Sequence, residues 1–508
     1  MKVLLVNPPY PKFLDEPKHA SPPLGLAYIA AVLELKKYPV KIIDCVVEGF
    51  DTETEFNGGI IYGIPITQLI HIIEEYKPDV IGISCIFSTL DSIIKELSKH
   101  IKKNFPEITI VLGGTHATVM AEQLIREPFI DYVVRGEGEH SFLNLIEHLE
   151  QKRQIETVNN LTWLDNGEIR STPQEFIQNV DELPFPARHL LNMEGYIKIG
   201  HMQGLTKKGS RATTLITSRG CPAKCIFCSI HAVWGHKFRA HSPQYTLDEM
   251  QQLRDKYGIE HLLFEDDNLT LDKTRATTIF NGMIDRKFNF SWTAPNGIAL
   301  WALNDSLLTL IRDSGCYRLS LGVESGDPVT LRKIIHKPLR FDTIERLVKT
   351  CKRLKINTTA FFVIGLPGET MQSIKRSMRY AENLDVGSLC ISIATPYPGT
   401  CLYEICKQEG YLIENFQFGN LMTHLGQIHT PEFNPKDLEN IMSKTLVRHA
   451  LKHPFGILRR VSEKLKASPK ETFSFIIKRI ISSVQVLHME RNKIYAPDPS
   501  SDSVKKSA

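Results

Sequence analysis

The segment SRGCPAKCIFC, residues 218–228, carries three thiols, Cys221, Cys225 and Cys228, in one loop at C-x3-C-x2-C spacing. Thiolates are soft anionic ligands, and a four-iron cluster takes one on each iron; this run serves three irons and leaves the fourth open to a substrate. A vacant iron is where chemistry can start. Two blander readings compete: a zinc knuckle, which wants a fourth ligand such as His231 or His236, and three unrelated core cysteines. The tightness of the spacing favours the cluster.

A loop of this kind needs a scaffold on both sides. From about residue 211, β-rich runs alternate with helical stretches: TTLITS before the cysteines, then HLLFEDD, FSWTAPNG, RLSLGVESG, TAFFVIGLPGE and SLCISIATPYPGT. That alternation predicts a partial (β/α)6 TIM-like barrel with functional residues at the C-terminal ends of its strands. Residues 1–150 alternate in the same way, through KVLLVN, VKIID, DVIGISC, ITIVLGG and DYVVRG, and predict a flavodoxin-like doubly wound parallel sheet. Its strand ends carry Asn7, Asp44, Ser84, Gly113, Gly114, Thr115 and Arg135, where such sheets hold ligands. Residues 151–205 read as a connector with a hairpin at Asn166-Gly167 and a Pro-rich DELPFPARHLL stretch. The expected fold class is therefore α/β: a doubly wound sheet (1–150), the connector, a partial barrel (206–410), a mostly helical C-terminal region (411–490) and a polar, disordered tail (491–508).

Composition narrows the class. At 508 residues the chain has room for two or three cores, and a net charge of +4 is too small to argue for nucleic acid. Cys45, Cys85, Cys316, Cys351, Cys390, Cys401 and Cys406 show no framework spacing, and MKVLLVNPPY runs straight into a strand instead of a signal peptide. A reducing cytoplasm is the expected location. No apolar run reaches the roughly 18 to 20 residues that span a bilayer. PFGILRRVSEKLK and FSFIIKRIISSVQVLHM mix apolar residues with Lys and Arg, a pattern suited to peripheral membrane contact or an apolar substrate; a helical cap packed on the barrel is the stronger alternative.

The layout of residues 1–410 resembles the cobalamin-binding radical S-adenosylmethionine proteins, a family that includes cobalamin-dependent methylases and anaerobic magnesium-protoporphyrin monomethyl ester cyclases. NPPYP, SPPLGLAYIAAVLE, GGTHAT, RGEGEHSF and LPFPAR carry the resemblance in the first half; SRGCPAKCIFC, FEDDNLT, GVESG, VIGLPGET and PYPGT carry it in the second. The resemblance implies three cofactors: a 4Fe-4S cluster, S-adenosylmethionine and cobalamin. It implies that the open iron chelates the methionine moiety, and that an electron from a flavodoxin- or ferredoxin-like donor releases a 5'-deoxyadenosyl radical.

By position, Asp266 and Asp267 resemble the element that receives the methionine ammonium, with Asn268 as the natural cap of the next helix. Glu324 and Ser325 correspond to contacts with the ribose hydroxyls or the carboxylate; Phe227 would pack on adenine, and the backbone of Val363, Ile364 and Gly365 would pair with it. Glu369 reads as first-turn helix charge. Ser84, Gly113, Gly114 and Thr115 match the parts that receive the nucleotide tail of cobalamin. One departure stands out: where many cobalamin folds carry Asp-x-His-x-x-Gly, this chain has Asp44, Cys45, Val46, Val47, Glu48 and Gly49. Valine has no ligand atom, so either the corrin binds with its tail extended and the lower face of cobalt falls to water, another residue or nothing, or the module has lost cobalamin.

The expected activity is methylation of an unactivated carbon of a small or lipid-like metabolite. Ring formation or oxidation with the same cofactors is the alternative within enzymes, and a zinc-containing ligand sensor the alternative outside them. A transfer-RNA-modifying enzyme would need a basic, aromatic RNA-binding module, and none is visible.

Overall fold

The computed structural model describes residues 1–13, 18–200 and 210–454. Five parallel strands, Val3–Asn7, Val40–Asp44, Val80–Ser84, Thr109–Gly113 and Tyr132–Val134, form the first sheet, with the Val3–Asn7 strand between the second and third. That is the flavodoxin-like order, and it places the switch point, where ligands settle, between Asn7 and Ser84. Val3 and Leu5 feed a core under helices Leu24–Leu35 and Gly138–Leu149. Leu4 and Val6 feed the opposite core, under Ile66–Tyr76 and Asp91–Asn104. Burial on both faces explains why this strand reads as an unbroken apolar run.

Two hairpins extend this module. The one at Asn166-Gly167 (Leu161–Asp165 and Glu168–Ser171) adds antiparallel strands to the Tyr132–Val134 edge, making a seven-stranded sheet. Part of the connector thus belongs structurally to the first sheet. A second hairpin, Glu53–Phe56 with Gly59–Tyr62, turns at Asn57-Gly58 and pairs with Tyr10–Pro11. The rest of the connector is a seam. Arg188, fully buried, pairs with Glu249 of helix Pro243–Tyr257 and donates to the Thr214 carbonyl at 3.2 Å, while Ala187 N–H bonds Ala27 O at 3.0 Å.

The second sheet is a run of six parallel strands in chain order: Ala212–Leu215, His261–Phe264, Ser291–Ala294, Cys316–Glu324, Asn357–Ile364 and Ser388–Ile393. Helix Pro435–Lys452 packs on the last strand and on helix Met371–Asn383. No helix among the described residues is long and apolar enough to cross a membrane. The two Lys- and Arg-bearing segments beginning at Pro454 and Phe473, and the tail from 491, lie outside the described residues apart from Pro454 itself.

Candidate active site where the two modules meet

The cysteine loop follows the first barrel strand, and neighbouring elements pin it from several sides. Asp266 is fully buried and accepts from Thr217 N–H at 3.1 Å, Thr217 Oγ1 at 2.7 Å and Ser218 Oγ. It thereby holds the run that leads into Cys221. Downstream, Leu402 N–H donates to Ile226 O at 2.9 Å, and Thr400, in PYPGT, caps the helix Cys401–Gln408 that supplies Leu402. Ile226, Leu402, Cys406 and Ile428 form a small apolar cluster against which Cys225, Phe227 and Val363 pack.

The three thiols are partly exposed and unpaired by disulfides. Burial pushes Cys225 up to about 11 and Cys228 up to about 12, and raises Cys221 as well. Loading metal must therefore release protons. Asn268 does not cap the following helix. Its Nδ2 donates to Cys221 Sγ at 2.8 Å, and the cap is Asp272, which accepts from Arg275 N–H. Among the described residues no three His, Cys, Asp or Glu side chains converge on a single ion. His231 and His236 stack on each other with centroids 4.0 Å apart. The thiol set suits a cluster better than a mononuclear zinc site.

The neighbouring carboxylates divide into distinct groups. Asp267 Oδ2 is buried with no hydrogen-bond partner among the described residues, and burial beside Asp266 holds this carboxyl at about 7. An orphaned buried acceptor is costly unless a donor arrives. Asp266, by contrast, accepts three hydrogen bonds from Thr217 and Ser218. Glu324 sits at the end of its strand with φ +66° and pairs with Lys337 Nζ at 2.7 Å. Ser325 is fully buried and accepts from Asp327 N–H at 3.1 Å, a turn contact. Glu369 precedes its helix, whose cap is Thr370; its Oε2 accepts from Gly365 N–H at 2.8 Å and Leu366 N–H at 2.9 Å. It folds the VIGLPGE turn and is not first-turn charge. Ile364 O is taken by Ala394 N–H at 2.8 Å, Gly365 N–H is engaged by Glu369, and Val363 pairs with Ser392 in the sheet.

At the end of the first sheet, a cavity of about 230 Å³ is lined by Ser84, Gly113, Gly114 and Thr115 from one module and by Arg219 and Trp234 from the other. Arg219 stands two residues ahead of Cys221. It donates to Glu137 at 3.2 Å and Glu139 at 2.6 Å, and Arg239 closes the group on Glu137 at 2.8 Å. All four side chains are buried. Glycine is required at 114, where φ is +105° and a Cβ would lie 2.7 Å from Cys85 O. Such a cradle fits an extended nucleotide tail laid against the backbone. Val46 is in the core, and its N–H donates to Asp44 Oδ1; Asp44 also accepts from Asn7 and Tyr196.

A flavodoxin-like sheet thus faces a partial barrel across a three-cysteine loop, and comparison with known proteins gives this arrangement its class. Residues 13–146 match the B12 binding domain and residues 215–381 the Radical SAM superfamily. The chain is 33% identical over 461 residues to cytidylyl-2-hydroxyethylphosphonate methyltransferase of Streptomyces wedmorensis, covering 85% of this chain and 86% of that one. It is 27% identical over 424 residues to the anaerobic magnesium-protoporphyrin IX monomethyl ester cyclase of Rubrivivax gelatinosus (82% and 72% covered). The fold matches the cobalamin-dependent S-adenosylmethionine radical enzyme OxsB with aqua-cobalamin bound, at TM-score 0.70 and 19% identity over 95% of this chain and 71% of that one. The chain belongs to the cobalamin-dependent radical S-adenosylmethionine family, an enzyme family whose cofactors are a 4Fe-4S cluster, S-adenosylmethionine and cobalamin.

Neither the Lys337–Glu324 pair nor the Arg219 group is legible in the sequence. Each depends on a partner distant in the chain. A cation two residues before the first cysteine was the only signal for Arg219.

Proposed function

We propose that this chain is a methyltransferase acting on an unactivated carbon of a small or lipid-like metabolite, with units 1–150 and 206–410 holding the two cofactor sites. The carrying observation is that Arg219, in the cysteine loop, also lines the cavity under Gly113, Gly114 and Thr115. Bound at these sites, the cluster with S-adenosylmethionine supplies an oxidant strong enough for an inert C–H bond, and cobalamin supplies the methyl group.

The chain's own residues do the positioning. Cys221, Cys225 and Cys228 hold three irons, and Asn268 and Lys337 temper the thiolate charge. Asp267 offers its unpartnered oxygen to the methionine ammonium, Glu324 faces the nucleoside hydroxyls, and Phe227 with Val363 forms an apolar wall for adenine. Ser84, Gly113, Gly114 and Thr115 let the nucleotide tail of cobalamin approach the backbone. With valine at position 46, no side chain there competes for cobalt. A low-potential donor such as flavodoxin or ferredoxin supplies the electron, which fits a reducing cytoplasm. The relative's cytidylyl-linked hydroxyethylphosphonate makes a small phosphonate or nucleotide-linked acid the first substrate class to offer.

Anaerobic purification, reconstitution with iron and sulfide, and addition of cobalamin test the reading. The expected result is joint cluster and corrin absorption, 5'-deoxyadenosine on reduction, and a product heavier by one methylene. Loss of hydrogen or gain of oxygen would assign cyclisation or oxidation instead. A protein that takes up cluster and refuses corrin would end the methylation proposal.

A further inference from the structure

Lys337 reaches the site from the turn after Thr330–Ile334, and its Nζ donates to Glu324 Oε1 and to Gly322 O, both at 2.7 Å. Both side chains are nearly enclosed, at 11% and 12% exposure. The backbone is shaped around this pair. A Cβ at Gly322 would come within 2.7 Å of both Nζ and Oε1, strand register shifts between Gly322 and Glu324, and Glu324 itself lies in the left-handed region. A non-glycine residue held there is uncommon, and such outliers cluster at ligand clamps. Nζ also stands 6.0 Å from the Trp301 ring centroid.

Cys225 and Ile334 pack against one apolar cluster that contains Ile226 and Ile335, so the turn that carries Lys337, two residues beyond Ile335, lies against the cysteine loop. At 2.7 Å the Glu324 carboxylate gives the enclosed ammonium its counter-charge.

We propose that Lys337 is a positioning residue for the cluster: a fixed cation, clamped by Glu324 and the Gly322 carbonyl beside Cys225, that makes the cluster easier to reduce. The inference rests on the function proposed above. Reduction moves one electron from an external low-potential donor onto a cluster already surrounded by thiolates, and a neighbouring positive charge in a poorly solvated site favours the more negative state. The same salt bridge fixes Glu324 at the mouth of the strand.

The test is a redox titration of the full-length, anaerobically reconstituted protein, followed by electron paramagnetic resonance, in the parent, Lys337→Met, Lys337→Arg and Glu324→Gln. Lys337→Met should titrate at a more negative midpoint than the parent, Lys337→Arg close to it, and Glu324→Gln at a more positive one because the ammonium loses its counter-charge. Opposite shifts from the two halves of one bridge are not what a mere loss of structure produces. If Lys337→Met takes up no cluster, the Glu324→Gln shift and the arginine rescue decide. A parent-like midpoint in Lys337→Met, or shifts of one sign in Lys337→Met and Glu324→Gln, would overturn the proposal. A parent with no reducible cluster would overturn the proposed function as well; a parent whose cluster reduces but ignores Lys337 overturns this inference alone.

Discussion

Glu369 shows how much one buried carboxylate can organise. It accepts from two successive backbone N–H groups and so folds the turn after the fifth barrel strand, while burial raises its carboxyl to about 7. The folded protein therefore holds this proton more tightly than the unfolded chain. The resulting stability is complete below the ordinary glutamate range, falls as pH rises through about 7, and is flat beyond. Glu369→Gln keeps an acceptor without the charge, so its melting temperature should lack this pH dependence between about 4.5 and 7. Glu369→Ala strands both donors and should cost about 2 to 3 kcal/mol by denaturant titration. Asp266 and Asp267 make a matching contrast. Asp267→Asn should weaken S-adenosylmethionine binding in equilibrium dialysis with little change in stability; Asp266→Asn should lower stability, because Thr217 and Ser218 donate to both carboxylate oxygens and an amide sets an NH2 donor against one of them. Sequence alone could not separate these two neighbours, since the distinction lies in which carboxylate meets the preceding strand.

At the scale of elements, strand order and helix faces were legible because apolar period and turn signals are local. The five strands of the first sheet and the six of the barrel fall where the sequence places them. The hairpin at Asn166-Gly167 is legible from its turn; the one at Asn57-Gly58 carries the same dipeptide but flanks it with DTETEF, whose alternating charges hide the strand. Pairing partners were less legible. Nothing in residues 161–171 says that their hairpin extends the first sheet, because edge addition depends on a distant strand's free side. Glycines give the sharpest element-scale prediction. Gly114→Ala forces φ +105° on a residue with a Cβ 2.7 Å from Cys85 O and should cost about 1 to 3 kcal/mol or more. Gly113→Ala meets only Val134 O at 3.7 Å and should stay within about 1 kcal/mol of the parent. Urea titration of the two variants side by side checks both, and equal losses would mean that the turn is not what the second glycine serves.

Across the whole molecule, buried ion pairs tie one module to the other beside the cavity. Glu137 and Glu139 come from the first helix turn after the Tyr132–Val134 strand, Arg219 from the cysteine loop and Arg239 from the strand beyond it. Burial alone would favour a protonated Glu139, yet Arg219 outweighs it and holds that carboxyl below its ordinary range. Glu137 keeps Arg239 and Ile177 N–H if Arg219 is lost; Glu139 does not keep an equivalent partner in this group. Arg219→Ala should therefore destabilise the protein by about 3 to 5 kcal/mol, most of it the stranded charge of Glu139. Adding Glu139→Ala should recover part of the loss, a coupling of about 0.5 to 3 kcal/mol in a double-mutant cycle. Arg219→Lys, which cannot fork to two carboxylates, should fall between parent and alanine. The parent should also lose this contribution as pH falls through and below the glutamate range, while the double variant should not. A cycle with no coupling would mean that the cysteine loop is held against the cobalamin module by other contacts, and that the seam of Arg188, Glu249 and Thr214 carries the alignment instead.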